Sequence, residues 1–322
     1  MICPNCNSTL IELWNERVCV KCGYSSKAKQ KEKPTPVPSL DKTKQLKINR
    51  LSAQKMYSAL QKKIDGKESE GMSYLLSRGL EPKTIARFGL GWGDAHLSFS
   101  LKDKGFTEEE MLQSELVGKS QKSGRLYDKF FGRVIFPIFD INNIVIGFGG
   151  RLVRSSETSP KYINSKESEV FKKRENLFAL NFAKDTKQDY FILCEGYMDV
   201  IALHQAGFTN AVASLGTSLT SEQAKLLKSF KDTVYIAYDG DGPGQKATAR
   251  AISILQEQGI NIKILSLDPY KDPDELIKAL GRNEFLNRIS QARSAERFLY
   301  QRANPDDKVN LLAEMLIAKR DR

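Results

Sequence analysis

Asp239 and Asp241, set among glycines in YIAYDGDGPGQKATARA (residues 235–251), are the side chains best placed by type and spacing to do chemistry. The run 235–238 reads as a strand and 245–258 carries apolar residues at helical spacing, so both carboxylates fall on the turn between them. Taken alone the stretch also fits an ordinary turn, because Asp and Gly are common turn residues and Pro243 suits a helix's first turn. Other carboxylates weigh against that. Glu195 directly follows YFILC (190–194), Asp199 comes one helical turn later, and Asp268, Asp272 and Asp274 follow IKILSL (262–267). Carboxylates gathered at one place repel one another and raise their pKa values unless a cation joins them. Hard oxygen ligands select Mg²⁺ or Mn²⁺ rather than zinc, and Mg²⁺ commonly completes its shell with water and phosphate oxygens. The expectation is metal-assisted chemistry on a phosphate, with the glycines letting the backbone turn tightly beside the metal.

A second group has a different chemistry. Four of the five cysteines lie in the first 22 residues as two C-x2-C pairs, Cys3 with Cys6 and Cys19 with Cys22, twelve residues apart. Two such knuckles offer four thiolates to one tetrahedral Zn²⁺, a closed and therefore structural site. Disulfides are the competing account, but no export signal opens the chain. Cys194, inside a strand, reads as a small buried side chain.

These residues need elements to hold them. From residue 189 strands and helices alternate, with strands at 190–194, 211–215, 234–238 and 262–267 and helices at 198–206, 221–228, 245–258 and 274–280. Such alternation predicts a parallel sheet covered on both faces, whose reactive edge lies beyond the carboxyl ends of the strands. Glu195, Gly216 to Ser218, Asp239 and the Asp268–Asp274 region all fall at that edge. Upstream, residues 130–151 predict two strands joined by a turn at Asn142 and Asn143, with Val134, Phe136, Ile144, Ile146 and Phe148 burying one face. Residues 46–90 read as mainly helical, with Gly79 and Pro82 as breakers. Residues 27–45, rich in Lys and then carrying Pro34, Pro36 and Pro38, read as a tether.

Charge and length set the outer limits. The 322 residues carry 50 Lys and Arg against 39 Asp and Glu, a net charge of +11. Eleven of the basic residues fall in 27–63, opposed only by Glu32 and Asp41. That block suits either a polyanion such as nucleic acid or a solvated linker. No apolar run reaches the length of a membrane span, which implies a soluble, cytoplasmic protein.

The segments ILCEGYMDVIALHQAGFTNAVASLGTSLT, YDGDGPGQKATARA and KDPDE resemble the Toprim segment of bacterial DnaG-type DNA primases. Upstream, YLLSRGLEPKTIARFGLGW, GRVIFPI, IGFGGR and SPKYINSKESEVFKKRENLFAL resemble the polymerase domain that precedes Toprim in that family. The likeness covers roughly residues 70–280. With the cysteine module and the tether read above, it gives an α/β chain (α+β overall): a zinc ribbon at 1–26, a linker at 27–45, an N-terminal core subdomain at 46–188, a Rossmann-like Toprim subdomain at 189–285 and a helical segment at 286–322. It also implies the activity, synthesis of short RNA primers from ribonucleoside triphosphates on single-stranded DNA, with two or more Mg²⁺ or Mn²⁺ ions. Glu195 then matches an acid/base or metal ligand, Asp239 and Asp241 a metal-binding pair, and Asp199, Asp272 and Asp274 further acidic positions of the metal site. Arg151, Lys161, Asn164 and Lys173, together with Arg87 and Arg133, match positions lining the nucleotide and template groove.

The sequence departs from the family in three places. The cysteine module is a compact four-cysteine ribbon where the family usually has a larger Cys-His-Cys-Cys domain, and Pro243 stands where alanine is common. The chain ends at Arg322 without the usual helicase-interacting domain, which leaves a helicase partner open and suits a monomeric primase of a phage or mobile element acting in the host cytoplasm. Two alternatives share the acidic set: a Toprim nuclease, and a single-stranded-DNA-binding or replication-control protein without catalysis.

Overall fold

The computed structural model describes residues 2, 3, 6–9, 11–13, 16–18, 40–216, 218–303 and 308. They belong to two compact units, Met1–Ser39 and Leu40–Arg322. In the first, β1 (Ile11–Leu13) pairs antiparallel with β2 (Glu16–Val18), and Ile2 bridges Thr9. The Cys3 N–H donates to the Ser8 carbonyl at 2.7 Å, and the Asn7 N–H donates to the Cys3 carbonyl at 3.0 Å. Asn7 takes a left-handed φ of 57°, which closes a tight turn around Cys3 and Cys6. Cys19, Cys22 and the tether residues before 40 lie outside the described residues.

The second unit opens with α1 (Lys42–Gln61), started by Asp41, whose carboxylate accepts the Lys44 N–H at 3.1 Å. The helix therefore includes residues 42–45, which the Lys and Pro pattern assigned to the tether: a good cap outweighs charge density. Then come α2 (Glu70–Ser77) and α3 (Pro82–Arg87), β3 (Gly91–Trp92), α4 (Leu97–Asp103), α5 (Glu108–Gln113) and the small hairpin of β4 (Val117–Lys119) and β5 (Leu126–Asp128). The expected two-stranded stretch is β6 (Arg133–Phe139) and β7 (Val145–Leu152), to which β8 (Tyr162–Asn164) adds, giving the order β3-β6-β7-β8. Val134, Phe136, Ile146 and Phe148 are buried as expected, but Ile144 is exposed. It belongs to the turn, where Asp140 accepts its N–H, and a register shift between Ile138 and Phe139 breaks the simple alternation.

After α6 (Leu180–Ala183) the alternating half consists of β9 (Tyr190–Cys194), α7 (Tyr197–Gln205), β10 (Ala211–Ala213), α8 (Ser221–Lys228), β11 (Thr233–Ile236), α9 (Gly242–Glu257), β12 (Asn261–Ile264), α10 (Pro273–Ser290), β13 (Arg293–Ser294) and α11 (Ala295–Arg302). The sheet order is β10-β9-β11-β12-β13, parallel except for the antiparallel edge strand β13. Central β9 has Phe191, Ile192, Leu193 and Cys194 fully buried, so helices or other elements cover both faces. Burial also pushes the Cys194 thiol well above its ordinary range, in keeping with an inert packing residue. Leu60, Leu75, Phe88, Phe136, Ile192, Val200, Leu276 and Phe285 belong to one hydrophobic cluster, so the alternating sheet and the elements before it share a core. Among the described residues no helix is long and apolar enough to cross a membrane.

Candidate active site

Five carboxylates reach one cavity of about 330 Å³ at the carboxyl edge of the parallel sheet: Glu195, Asp199, Asp239, Asp272 and Asp274. Glu195 follows β9 directly, and Asp199 sits in the first turn of α7. Asp239 lies beyond β11, on a loop fastened at both sides: its N–H donates to Glu195 Oε1 at 3.1 Å, and the Gly240 N–H donates to the Lys271 carbonyl at 2.9 Å. Asp272 caps α10 by accepting the Glu275 N–H at 2.8 Å. Asp241 caps α9 by accepting the Gly244 N–H at 2.9 Å, which starts that helix three residues before the apolar spacing indicates.

The electrostatics of this group call for a cation. Burial, then the charges of Asp239 and Asp241, raise the Glu195 carboxyl. Burial and Asp272 raise Asp239, and burial with Asp272, Asp239 and Asp274 holds Asp199 well above the carboxylate range. Lys271 Nζ, 3.8 Å from Asp239 Oδ2, offsets only part of this. A divalent cation with oxygen ligands fits such a set. Among the described residues no three His, Cys, Asp or Glu side chains are arranged to hold a metal ion by themselves.

The facing wall is basic and aromatic. Arg151 of β7, Lys161, and Tyr162 and Asn164 of β8 line the same cavity. The Arg151 guanidinium lies 4.5 Å from the Tyr74 ring centre and 5.7 Å from that of Tyr162. Its Nε and Nη1 are buried and have no hydrogen-bond partner. Asn164 joins the walls: its Oδ1 accepts the Tyr197 hydroxyl at 2.6 Å, and its Nδ2 donates to the Leu215 carbonyl at 2.9 Å. Arg151 and Lys161 also border a second cavity of about 280 Å³ that includes Arg154, Ser155 and Ser156.

Three of the basic residues singled out from the sequence, and Asp241, do not line the main cavity. Arg87 lies over the Phe182 ring at 5.3 Å. Arg133 is buried and its Nη1 donates to the carbonyls of Gly150, Pro160 and Lys161, bracing the backbone that carries Lys161. Lys173 opens a short 3-10 turn whose backbone carbonyl accepts Gln223 Nε2. Conversely, Arg78, Tyr162, Tyr197 and Lys271 line the cavity without having been named. Each lies in or beside a stretch that carries the family resemblance, YLLSRGL, SPKYINS, EGYMD or KDPDE.

One glycine of the 240–244 turn is required by contact. A methyl group at Gly244 would collide with the Asp239 carbonyl and lie 2.9 Å from Glu195 Oε1, whereas one at Gly242 would meet nothing within 4 Å. Gly244→Ala is expected to cost about 1–3 kcal/mol of stability, the scale of overpacking, and to displace Asp239, while Gly242→Ala is silent. Chemical unfolding of the two variants side by side measures this.

The comparisons with known proteins divide the chain along the same line as the two walls. Residues 57–184 match the family described as DNA primase catalytic core, N-terminal domain, and residues 192–277 match the Toprim-like family. A solved structure of the DnaG primase catalytic domain bound to ssDNA aligns with a TM-score of 0.73 at 32% identity, over 82% of this chain and 83% of that one. The chain belongs to the DnaG-type DNA primase family. The DNA primase of Clostridium acetobutylicum is 47% identical over 240 residues, which are 73% of this chain but 39% of that protein. The Aquifex aeolicus primase structure, containing zinc-binding and RNA polymerase domains, aligns with a TM-score of 0.75 at 37% identity over 83% of this chain and 66% of that one. The chain thus spans well under two thirds of the Clostridium relative, and an origin in a phage or mobile element finds no support among these bacterial relatives. Within this family's division, the basic wall of the cavity comes from the catalytic-core segment and the acidic wall from the Toprim-like segment.

Proposed function

We propose that the chain synthesises short RNA primers on a single-stranded DNA template. The observation that carries this reading is one cavity in which cation-poor carboxylates face Arg151, whose buried N–H groups are unpaired. Glu195, Asp199, Asp239 and Asp272, with Asp241 beside them, are the residues that would hold Mg²⁺ or Mn²⁺. Bound there, such ions supply charge neutralisation on the transferring phosphoryl group and orientation of its oxygens. Arg151, Lys161 and Asn164 bind and orient the nucleotide phosphates and template, and Arg133 keeps Lys161 in place. Glu195, with its carboxyl raised by burial, is suited to accept the proton of an attacking 3′-hydroxyl or to act as a ligand. The DnaG relative bound to ssDNA supports a single-stranded template for this chain as well.

The test supplies single-stranded DNA, labelled ribonucleotides and Mg²⁺ or Mn²⁺. New short RNA is the expected product. Template cleavage would mark a nuclease, and retention of DNA without either product would mark a binding protein.

The N-terminal unit is proposed as a zinc module held by Cys3, Cys6, Cys19 and Cys22, with residues 27–39 as the basic connection to the core. The tight turn around Cys3 and Cys6 suits one knuckle of such a site, and the Aquifex relative contains a zinc-binding domain. Elemental analysis is expected to find one zinc per chain, with sulfur ligands at about 2.3 Å by X-ray absorption. A content well below one overturns the assignment.

A further inference from the structure

Asp274 differs from the other carboxylates of the cavity because the protein supplies it with two close cations. Its Oδ2 accepts both the Arg78 guanidinium and, at 2.7 Å, the Lys278 ammonium. Its Oδ1 is buried without a hydrogen-bond partner, and the residue is 2% exposed. A carboxylate whose charge is already met by two cations of the protein has less need of an ion than its neighbours in the cavity. A buried ion pair of this kind serves position better than it serves net stability.

What it positions can be followed bond by bond. Asp274 lies in the first turn of α10, where its N–H donates to Asp199 Oδ1 at 3.4 Å. Around it the turn is closed reciprocally: Asp272 accepts the Glu275 N–H, and Glu275 accepts the Lys271 N–H at 2.7 Å. The Lys271 carbonyl in turn holds the Gly240 N–H, next to Asp239. Movement of this turn therefore carries Asp272 and the Asp239 loop with it.

Arg78 comes from the opposite wall. It is the C-cap residue of α2, and its N–H bonds the carbonyl of Tyr74 one turn earlier, the ring on which Arg151 rests. Gln205 of α7 clamps the following turn, donating to the Gly79 carbonyl at 2.9 Å and accepting the Glu81 N–H at 2.8 Å. One short helix thus supports the basic wall through Tyr74, and its C-cap residue holds the acidic wall through Asp274.

We infer that α2 is the spacer of the active site and that Arg78 is a positioning residue, whose ion pair with Asp274 sets the acidic wall at a fixed distance from Arg151. This rests on the proposed metal-dependent function. It assigns Asp274 to the support of the acidic set rather than to the ions themselves.

The test titrates Mn²⁺ calorimetrically into the full chain and into Arg78→Ala, Arg78→Lys, Asp274→Asn and the Arg78→Ala/Asp274→Asn double variant, with primer synthesis alongside. Each single neutralising variant is expected to weaken Mn²⁺ binding by roughly three- to thirtyfold, the range produced by coupled contacting residues. The number of ions bound stays unchanged, the double variant is no worse than the weaker single, and Arg78→Lys recovers part of the loss. kcat falls with the affinity, because both walls must meet the same substrate. Loss of one bound ion in Asp274→Asn would make Asp274 a ligand and overturn the inference. So would additive losses, or a lowered melting temperature with Mn²⁺ affinity and kcat per folded molecule intact. A wild-type chain that binds Mn²⁺ but makes no primer overturns the functional reading alone, since the titration judges the ion pair without it.

Discussion

Asp239→Asn is expected to reduce primer synthesis by roughly 100-fold or more, since substituting even a residue that only supports a metal ligand typically costs 10- to 100-fold. The substitution keeps the side-chain volume and the backbone N–H that Glu195 accepts at 3.1 Å, so the loop keeps its main fastening. What it removes is a charge that an ion would need. DNA retention should persist, because Arg151 and Lys161 come from other elements and act on phosphates through charge. The sign of the stability change separates this reading from a purely structural one. Burial and Asp272 hold the Asp239 carboxyl above its ordinary range, so at neutral pH its ionised form disfavours the native state. Asparagine removes that penalty, and metal-free Asp239→Asn should melt no lower than wild type at neutral pH, and slightly higher. As pH falls through the raised folded pKa, wild type takes up the proton and the difference vanishes. Thermal unfolding without metal, beside primer yield with it, measures both halves. A melting temperature that drops while activity per folded molecule is kept would show that the aspartate serves only the turn.

Much of this geometry was legible because independent local signals agreed. The run YFILC is followed by Glu195 and is strand β9 at both ends, since a short unbroken apolar stretch between helical patterns fits a buried interior strand. Helix α8 has its expected bounds because Thr220 and Gln223 form a capping box. Legibility failed where a residue has two uses. Asp241 read as a turn carboxylate, yet its side chain also caps α9 and moves the helix start forward. The helix expected over 274–280 is longer, since Gly281 kinks the chain at a φ of 73° but α10 resumes beyond it to Ser290. The two-residue strand β13 has no pattern to read, and only pairing with β12 defines it. Arg133 and Arg151 look alike in a strand sequence, but one faces backbone carbonyls and the other lies between two tyrosine rings. The pair of Arg78 with Asp274, 196 residues apart, leaves no trace in local spacing at all.

Arg151 carries the second large effect. Its guanidinium is held by ring faces rather than by a carboxylate, and two of its nitrogens are buried without partners. An unmet buried donor is costly to a fold, so its retention beside the acidic wall makes sense if a substrate oxygen completes it. Arg151→Ala is then expected to lower kcat/KM for nucleotide addition by roughly 30-fold or more, the scale of deleting one partner of a desolvated charge contact. Stability should change little, because losing the ring contacts, at about 0.5–2 kcal/mol, is offset by removing the unpaired donors. Arg151→Lys should not restore activity, since an ammonium neither stacks as a plane between Tyr74 and Tyr162 nor presents a fork to phosphate. Mn²⁺ binding, in contrast, should stay at the wild-type value, as the acidic wall does not use this residue. Steady-state kinetics and Mn²⁺ titration of both variants check the set, and full rescue by lysine would reduce Arg151 to a mere positive charge.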